Sequence, residues 1–340
     1  MFEDSASLSS RGSPFVETLP LPTHKPGRDR RVVVTGAAGF VGTHACRALA
    51  ADGWKVLALV RNPAKAAERL GHLPVEIRVG DLLDAPYLRS SFDGASAIVH
   101  LAAVAIERDG DSYQSANVDT THAVLQAADL ARVPRLVHMS QNGSDSASPF
   151  PFLRSKGEAQ EIVAASSLEW TILRPSVIFG PEDAFVNVLA RIVRLTPFVL
   201  PLPGNGDSRF QPVAVSDVAA VIARALADDS TRRAMFPLGG PAPLTLREMA
   251  ERILVAMGTQ RQIVGVPSAA MRPLVSMLAH LLPKPPVTPE LLDTLAIDNT
   301  VPDNSITTAF GLQPIPFAPE ELLYLRRITA GGALRSLFSH

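Results

Sequence analysis

The chain has one cysteine, Cys46. That excludes an internal disulfide framework and any cysteine-based metal cluster, and it fits a reducing compartment. Tyrosine is nearly as scarce: Tyr87, Tyr113 and Tyr324 are the only three. Of the 32 basic residues only Lys25, Lys55, Lys65, Lys156 and Lys284 are lysines, so a lysine inside a motif stands out. An excess of one charge is also missing. With 33 acids against 32 bases, the chain offers no support for nucleic-acid binding, which wants a basic face. No apolar run reaches the ~20 residues of a membrane-spanning helix. The nearest, Ala269 to Leu282, carries Arg272, Pro273 and His280. It reads as a core or domain-packing helix; the sharper alternative is a helix resting on a membrane or a hydrophobic partner. There is no internal repeat and no His/Cys/Asp cluster with metal-ligand spacing.

What is present is a core-rich composition, 46% hydrophobic and 19% charged, in 340 residues. That length calls for a large domain plus a smaller one. Residues 1–30 mix serine, proline and charge without apolar periodicity. With Glu3, Asp4 and Glu17 and no apolar h-region they read as a disordered tail rather than a signal peptide. The expected location is cytoplasmic, with peripheral membrane attachment as the alternative tied to residues 269–282. From Arg31 onward, short apolar runs alternate with helical stretches. Val32–Val34, Val56–Val60, Val75–Val79, Ala97–Leu101, Leu136–Met139 and Trp170–Leu173 are strands. Phe40–Ala51 and Gln114–Arg132 are helices. Near-continuous apolar strands are buried on both faces, as in a parallel sheet, and the alternation predicts a doubly wound α/β domain. Thr245 with Glu248 has the form of a capping box opening a helix over Met249–Met257.

After the first strand comes Gly36-Ala37-Ala38-Gly39-Phe40-Val41-Gly42. Gly36 allows the tight strand-to-helix turn, Gly39 lets backbone approach a pyrophosphate, and Gly42 lets the helix sit close to the strand. The helix N-terminus then faces the phosphates, so the loop predicts a dinucleotide cofactor. The second strand ends in Arg61-Asn62, without the acid that an NAD site places there for the ribose 2′-hydroxyl. Arg61 suits a 2′-phosphate, which favours NADP(H) over NAD(H). Asp81, after the third strand, is placed to accept from the adenine amino group. The domains expected are a nucleotide-binding Rossmann domain over 31–180, with later strands returning from 209–240, a smaller, mostly helical substrate or partner lobe over 181–330, and a tail over 331–340.

These motifs, taken in order, resemble the extended short-chain dehydrogenase/reductase superfamily. Gly36 to Gly42 matches the coenzyme loop and Asp81-Leu82 the adenine contact. His100-Leu101-Ala102-Ala103 matches the run that passes the cofactor, and Asn117-Val118 the start of the next helix. Ser140 matches the catalytic serine and Lys156 the lysine of Y-x-x-x-K. Leu173-Arg174-Pro175 with Val177 and Gly180-Pro181 matches the segment lining the nicotinamide. Gln211-Pro212-Val213 with Asp217-Val218-Ala219 matches the second-domain motif. Within the superfamily, Phe152 to Ala159, Ile172 to Asp183 and Phe185-Val186-Asn187 look most like an atypical branch. That branch holds the nucleotide-binding accessory subunit of respiratory complex I and its bacterial relatives. The resemblance spans about Arg31 to Arg327. It implies NADPH binding and a structural rather than electron-transferring role.

One position departs from the pattern. The superfamily's acid–base tyrosine stands four residues before the lysine, and here that residue is Phe152. A phenyl ring has no proton to give. General acid–base catalysis contributes roughly 10²- to 10⁴-fold, so ordinary alcohol–ketone chemistry is impaired. No other tyrosine is local in sequence; Tyr113, in the loop after the fourth strand, is the one with a route to the pocket. Ser140 and Lys156 keep binding roles, lysine toward the ribose hydroxyls and serine toward the carboxamide. His44 and Cys46 read as packing residues and His100 as a satisfied core histidine. Glu182 and Asp183, being adjacent, face apart. The sequence therefore supports a nucleotide-binding accessory, structural or sensing module, with a respiratory or membrane-associated complex as partner. The alternative is an active oxidoreductase or epimerase on a hydrophobic, quinone- or isoprenoid-like substrate.

Overall fold

The computed structural model describes residues 30–107, 110–282 and 287–338. The tail expected over 1–30 therefore lies, up to residue 29, outside the described residues. Six strands come in the expected succession: β1 (Arg31–Thr35), β2 (Lys55–Val60), β3 (Glu76–Val79), β4 (Ala97–His100), β5 (Arg135–Met139) and β6 (Glu169–Pro175). Between them run α1 (Phe40–Ala51), α2 (Pro63–Leu70), α3 (Ala85–Phe92), α4 (Thr120–Leu130) and α5 (Pro151–Ala164). The second half holds β7 (Ile178–Phe179), α6 (Val186–Leu195), β8 (Val199–Pro203), β9 (Arg209–Phe210), β10 (Val213–Ala214) and α7 (Val215–Ala227). It continues with β11 (Ala234–Leu238), β12 (Leu244–Thr245), α8 (Leu246–Ala256), β13 (Gln262–Val266) and α9 (Ser268–Leu281). Last come α10 (Pro289–Thr294), α11 (Ser305–Thr308) and α12 (Ala330–Phe338).

Seven strands form one parallel sheet in the order β11-β6-β5-β4-β1-β2-β3. The seventh, β11, returns to the sheet after the first excursion into the second lobe. Period-two alternation explains the continuous apolar runs. Val32 and Val34 of β1 enter a core with α1 and α7, while Val33 enters a core with α3, α4 and α5. Both faces are covered, so the polar residues Thr35, His100 and Thr171 on the central strands are buried and hydrogen-bonded inside the sheet. Strand order reverses between β1 and β4, which is where a doubly wound sheet opens a crevice at its carboxyl ends.

The second lobe has its own core, built from Phe179, Leu200, Phe210, Met249, Ile253 and Phe317. Small two-stranded sheets, β7 with β10, β8 with β13 and β9 with β12, lie outside the main sheet. Thr245 and Glu248 make the full capping box, and the helix it opens begins at Leu246, three residues before the expected start.

Three expectations need correction. The helix read as continuous over Gln114–Arg132 opens with a π-helical stretch, Gln114–Asp119, before α4. At its start the Ser112 and Ser115 hydroxyls accept from each other's backbone amides, which competes with regular i→i+4 bonding. The stretch read as a tail from residue 331 is helical as far as Phe338, with Ala333 buried and the helix packed on α6. Finally, α9, read as a core or domain-packing helix, packs on α10 but is not buried in a core. Val275 is its one buried residue, and Leu274, Met277 and Leu281 form an outward stripe at 56%, 51% and 68% exposure. Among the described residues no helix is long and apolar enough to cross a membrane.

Candidate functional site

The cleft begins at the β1–α1 turn. Gly36 has φ +66°, and a Cβ there would lie 2.7 Å from the Ala102 backbone nitrogen. A Cβ on Gly42 would lie 2.2 Å from the Gly36 carbonyl oxygen. Neither position has room for a side chain, so α1 starts hard against the ends of β1 and β4. Gly39 caps α1 without a side-chain bond, and the first turn carries no acid. The first amides of the helix and its positive dipole end therefore stay available to an anion. Phe40 leans away, edge-on to His44 and close to Gly180, and Val41 is half-buried.

From this turn a cleft of about 290 Å³ extends over β2 and β3. Gly36, Gly39, Arg61, Asp81, Leu82, Leu101, Ala102 and Ala103 all line it. So do two charged residues that sequence reasoning did not single out for the site, Lys65 and Asp111. Arg61 Nη1 and Nη2 donate to Asp111 Oδ1 and Oδ2, both at 2.7 Å. That pairing raises the Arg61 guanidinium and holds the Asp111 carboxyl below its ordinary value. Asp81 Oδ1 accepts from the Leu83 amide at 2.9 Å, an Asx turn that fixes the carboxylate at the cleft wall. Asn62 caps α2 through the Lys65 amide.

Phe40, Val41, Gly42, Asn117, Ser140, Lys156, Pro175 and Val177 do not line this cleft. Asn117 is a brace. It holds both backbone groups of Val104 and donates to Ser155 Oγ at 2.9 Å, locking the π-helical stretch to α5. Pro175 is buried and accepts, through its carbonyl, from the Asn142 amide; Val177 packs on the second-lobe core.

Ser140 and Lys156 sit at the end of β5, 2% and 5% exposed. Lys156 Nζ donates to the Met139 carbonyl at 2.5 Å, and burial brings its ammonium down to about 8. Ser140 Oγ donates to Ser144 Oγ at 3.2 Å. Beneath them His100 and His138, paired across β4 and β5, stack at 5.4 Å. His100 is held between the Thr35 and Thr121 hydroxyls at 2.7 and 3.0 Å, as a satisfied core histidine should be. Among the described residues His138 has no hydrogen-bond partner on either ring nitrogen. Burial, and then the nearby Lys156 charge, lowers both rings, His100 to about 3.

Phe152 is half-buried one turn before Lys156, and the Tyr113 ring lies 6.0 Å from it. The Tyr113 hydroxyl donates to the Ala105 carbonyl at 3.1 Å. Folding thus brings a phenol beside the residue that lacks one. Glu182 pairs with Arg69 at 2.8 Å, whereas Asp183 is buried and receives the Gly180 and Val186 amides and the Tyr324 hydroxyl. The two acids do face apart, and burial lifts Asp183 to about 6. Among the described residues no cluster suits a metal ion.

Residues 36–229 match the NAD(P)H-binding family. The chain is 30% identical over 306 residues to mitochondrial NADH dehydrogenase (ubiquinone) 1 alpha subcomplex subunit 9 of Arabidopsis thaliana, covering 85% of this chain and 74% of that protein. It is 33% identical over 190 residues to a ceramide reductase of Caulobacter vibrioides, 56% of this chain and 58% of that one. In fold it is similar to the NADPH-dependent quinone oxidoreductase of Escherichia coli solved with NADPH, TM-score 0.66 at 19% identity over 85% of this chain and 98% of that one. It is equally similar to a Bacillus cereus UDP-glucuronic acid 4-epimerase solved with NAD, TM-score 0.67 at 17% identity over 87% and 99%. A glycine cradle that excludes side chains, an uncapped helix start and a buried lysine beside a serine fit a dinucleotide, and the matches agree. The chain belongs to the NAD(P)H-binding family, as an extended short-chain dehydrogenase/reductase related to the alpha subcomplex subunit 9 of NADH dehydrogenase (ubiquinone).

Proposed function

We propose that this chain is an NADP(H)-binding accessory or sensing module in which the nucleotide is held rather than rapidly turned over. The observation that carries this reading is Phe152, which stands where the family places its acid–base tyrosine, beside an intact nucleotide cradle. The α1 amides and the Gly36–Gly42 backbone hold the pyrophosphate. Arg61, with Lys65 nearby, takes the 2′-phosphate, and that supports NADP(H) over NAD(H). Asp81 receives the adenine amino group, Leu82 and Leu101–Ala103 line the adenosine side, and Pro175 and Val177 back the nicotinamide side. Lys156 holds the ribose hydroxyls and Ser140 the carboxamide. When bound, the nicotinamide supplies a hydride; what this chain lacks at Phe152 is a group to move the accompanying proton.

Installing that proton donor is the test. Phe152→Tyr is expected to give NADPH-dependent reduction of simple carbonyls that is absent from the parent. A parent that already reduces them at an ordinary rate contradicts the reading.

A second reading is favoured by the contact of Tyr113 with Phe152 and by the ceramide reductase among the relatives. In it the chain is an active oxidoreductase or epimerase on a hydrophobic substrate, with the phenol supplied from another segment. NADPH consumption that is lost in both Lys156→Ala and Tyr113→Phe, each still folded, supports it. The outward stripe of α9 and the NADH dehydrogenase relatives support a place on a respiratory or membrane-associated assembly.

A further inference from the structure

The adenosine end of the cleft carries an anion of its own. Asp111 lies 50 residues beyond Arg61 in the chain, yet its two oxygens take both terminal nitrogens of that guanidinium in a parallel, two-pronged contact. A guanidinium offers phosphate that same fork. Both residues line the cleft, so the contact sits where nucleotide would lie. The Arg61 side chain is 60% exposed and that of Asp111 25%, so the pair is open enough to solvent to exchange partners. Lys65 lines the same wall and adds a second cation. Among the described residues lining that end of the cleft, Arg61 and Lys65 against Asp81 and Asp111 leave no net charge. Removing the Asp111 carboxylate would make it positive.

We infer that Asp111 is a built-in competitor for the nucleotide, its carboxylate standing in for a 2′-phosphate on Arg61 until a nucleotide that carries one displaces it, so that it tempers the preference for NADP(H) that Arg61 provides. A phosphate monoester brings about −1.5 to −2 charges at pH 7 against the single charge of a carboxylate, and so wins the guanidinium. The bare ribose hydroxyl of NADH brings none, and leaves the pair closed. The inference rests on the NADP(H) reading of Arg61 and adds the competitor that reading lacks.

The test is a titration of the full chain with NADPH and with NADH at low ionic strength, on the parent, Asp111→Asn, Arg61→Gln and the double variant. Asp111→Asn is expected to tighten NADPH about two- to five-fold, the scale of an exposed ion pair, and to leave NADH unchanged. That gain is expected to vanish on the Arg61→Gln background. A general effect of the loop on folding would move both nucleotides together, and that result overturns the inference. So does weaker NADH binding by Asp111→Asn, which would mean the carboxylate receives a ribose hydroxyl. If the parent prefers NADPH and Asp111→Asn shifts neither nucleotide, the role of Asp111 falls while the NADP(H) reading stands. If the parent prefers NADH and Arg61→Gln changes neither affinity, both fall.

Discussion

Two buried cations bracket strand β5. Arg135 is its first residue and 6% exposed; Lys156 reaches its last residue, Met139, and is 5% exposed. Neither forms an ion pair among the described residues. Arg135 nevertheless makes five hydrogen bonds, to the Leu136, Glu169 and Ala225 carbonyls and the Thr171 and Thr231 hydroxyls. Lys156 makes one. At the amino end of the sheet both terminal nitrogens of the guanidinium are spent on holding β5, β6 and α7 together. At the carboxyl end the lysine charge is left largely unspent. A buried charge with idle donors costs stability, and folds keep such groups where something else must be bound.

Removing each cation separates the two cases. Arg135→Met strips partners from buried carbonyls and hydroxyls, and an expected loss of about 2–4 kcal/mol is read by denaturant unfolding. Nucleotide affinity of the folded protein stays unchanged. Lys156→Met is expected to do the reverse, gaining on the order of 1–3 kcal/mol at pH 7 while nucleotide affinity falls. The sign follows from protonation. The folded lysine releases its proton near pH 8 and the unfolded one near its ordinary value, so the parent gains stability as pH rises between the two. The methionine variant loses that rise.

The histidines beneath Lys156 sharpen the comparison from the acid side. His100 is held neutral down to about pH 3, while an unfolded histidine takes a proton near 6.5. Stability is therefore complete above about pH 6.5 and falls below it, by about 1.4 kcal/mol per pH unit for this ring. His100→Gln should flatten the fall in a melting-temperature series. The smallest effect belongs to α9. Leu274 and Met277 are already exposed, so Leu274→Glu or Met277→Glu should change stability by less than about 0.5 kcal/mol. Either should reduce co-sedimentation with liposomes if the stripe meets a hydrophobic surface.

The sheet was legible because its strands are buried on both faces, and the nucleotide turn because steric exclusion at Gly36 and Gly42 leaves glycine as the one residue that fits. Phe152 was legible by spacing from Lys156. What sequence could not show are meetings across distance. Arg61 and Asp111 are 50 residues apart, and nothing in either segment points to the other. The bonding of Arg135 draws on β5, β6, α7 and the loop after it, and nothing local marks that arginine as different from the rest. The α9 stripe failed for another reason: apolar periodicity identifies an apolar face and says nothing of what covers it.

The central claim is that the nucleotide is held, not cycled. The direct measurement is the exchange rate of bound NADPH, with NADH in parallel. The account predicts tight NADPH binding released over hours and a weaker hold on NADH. Micromolar NADPH released within seconds would contradict it and describe a cofactor free to turn over.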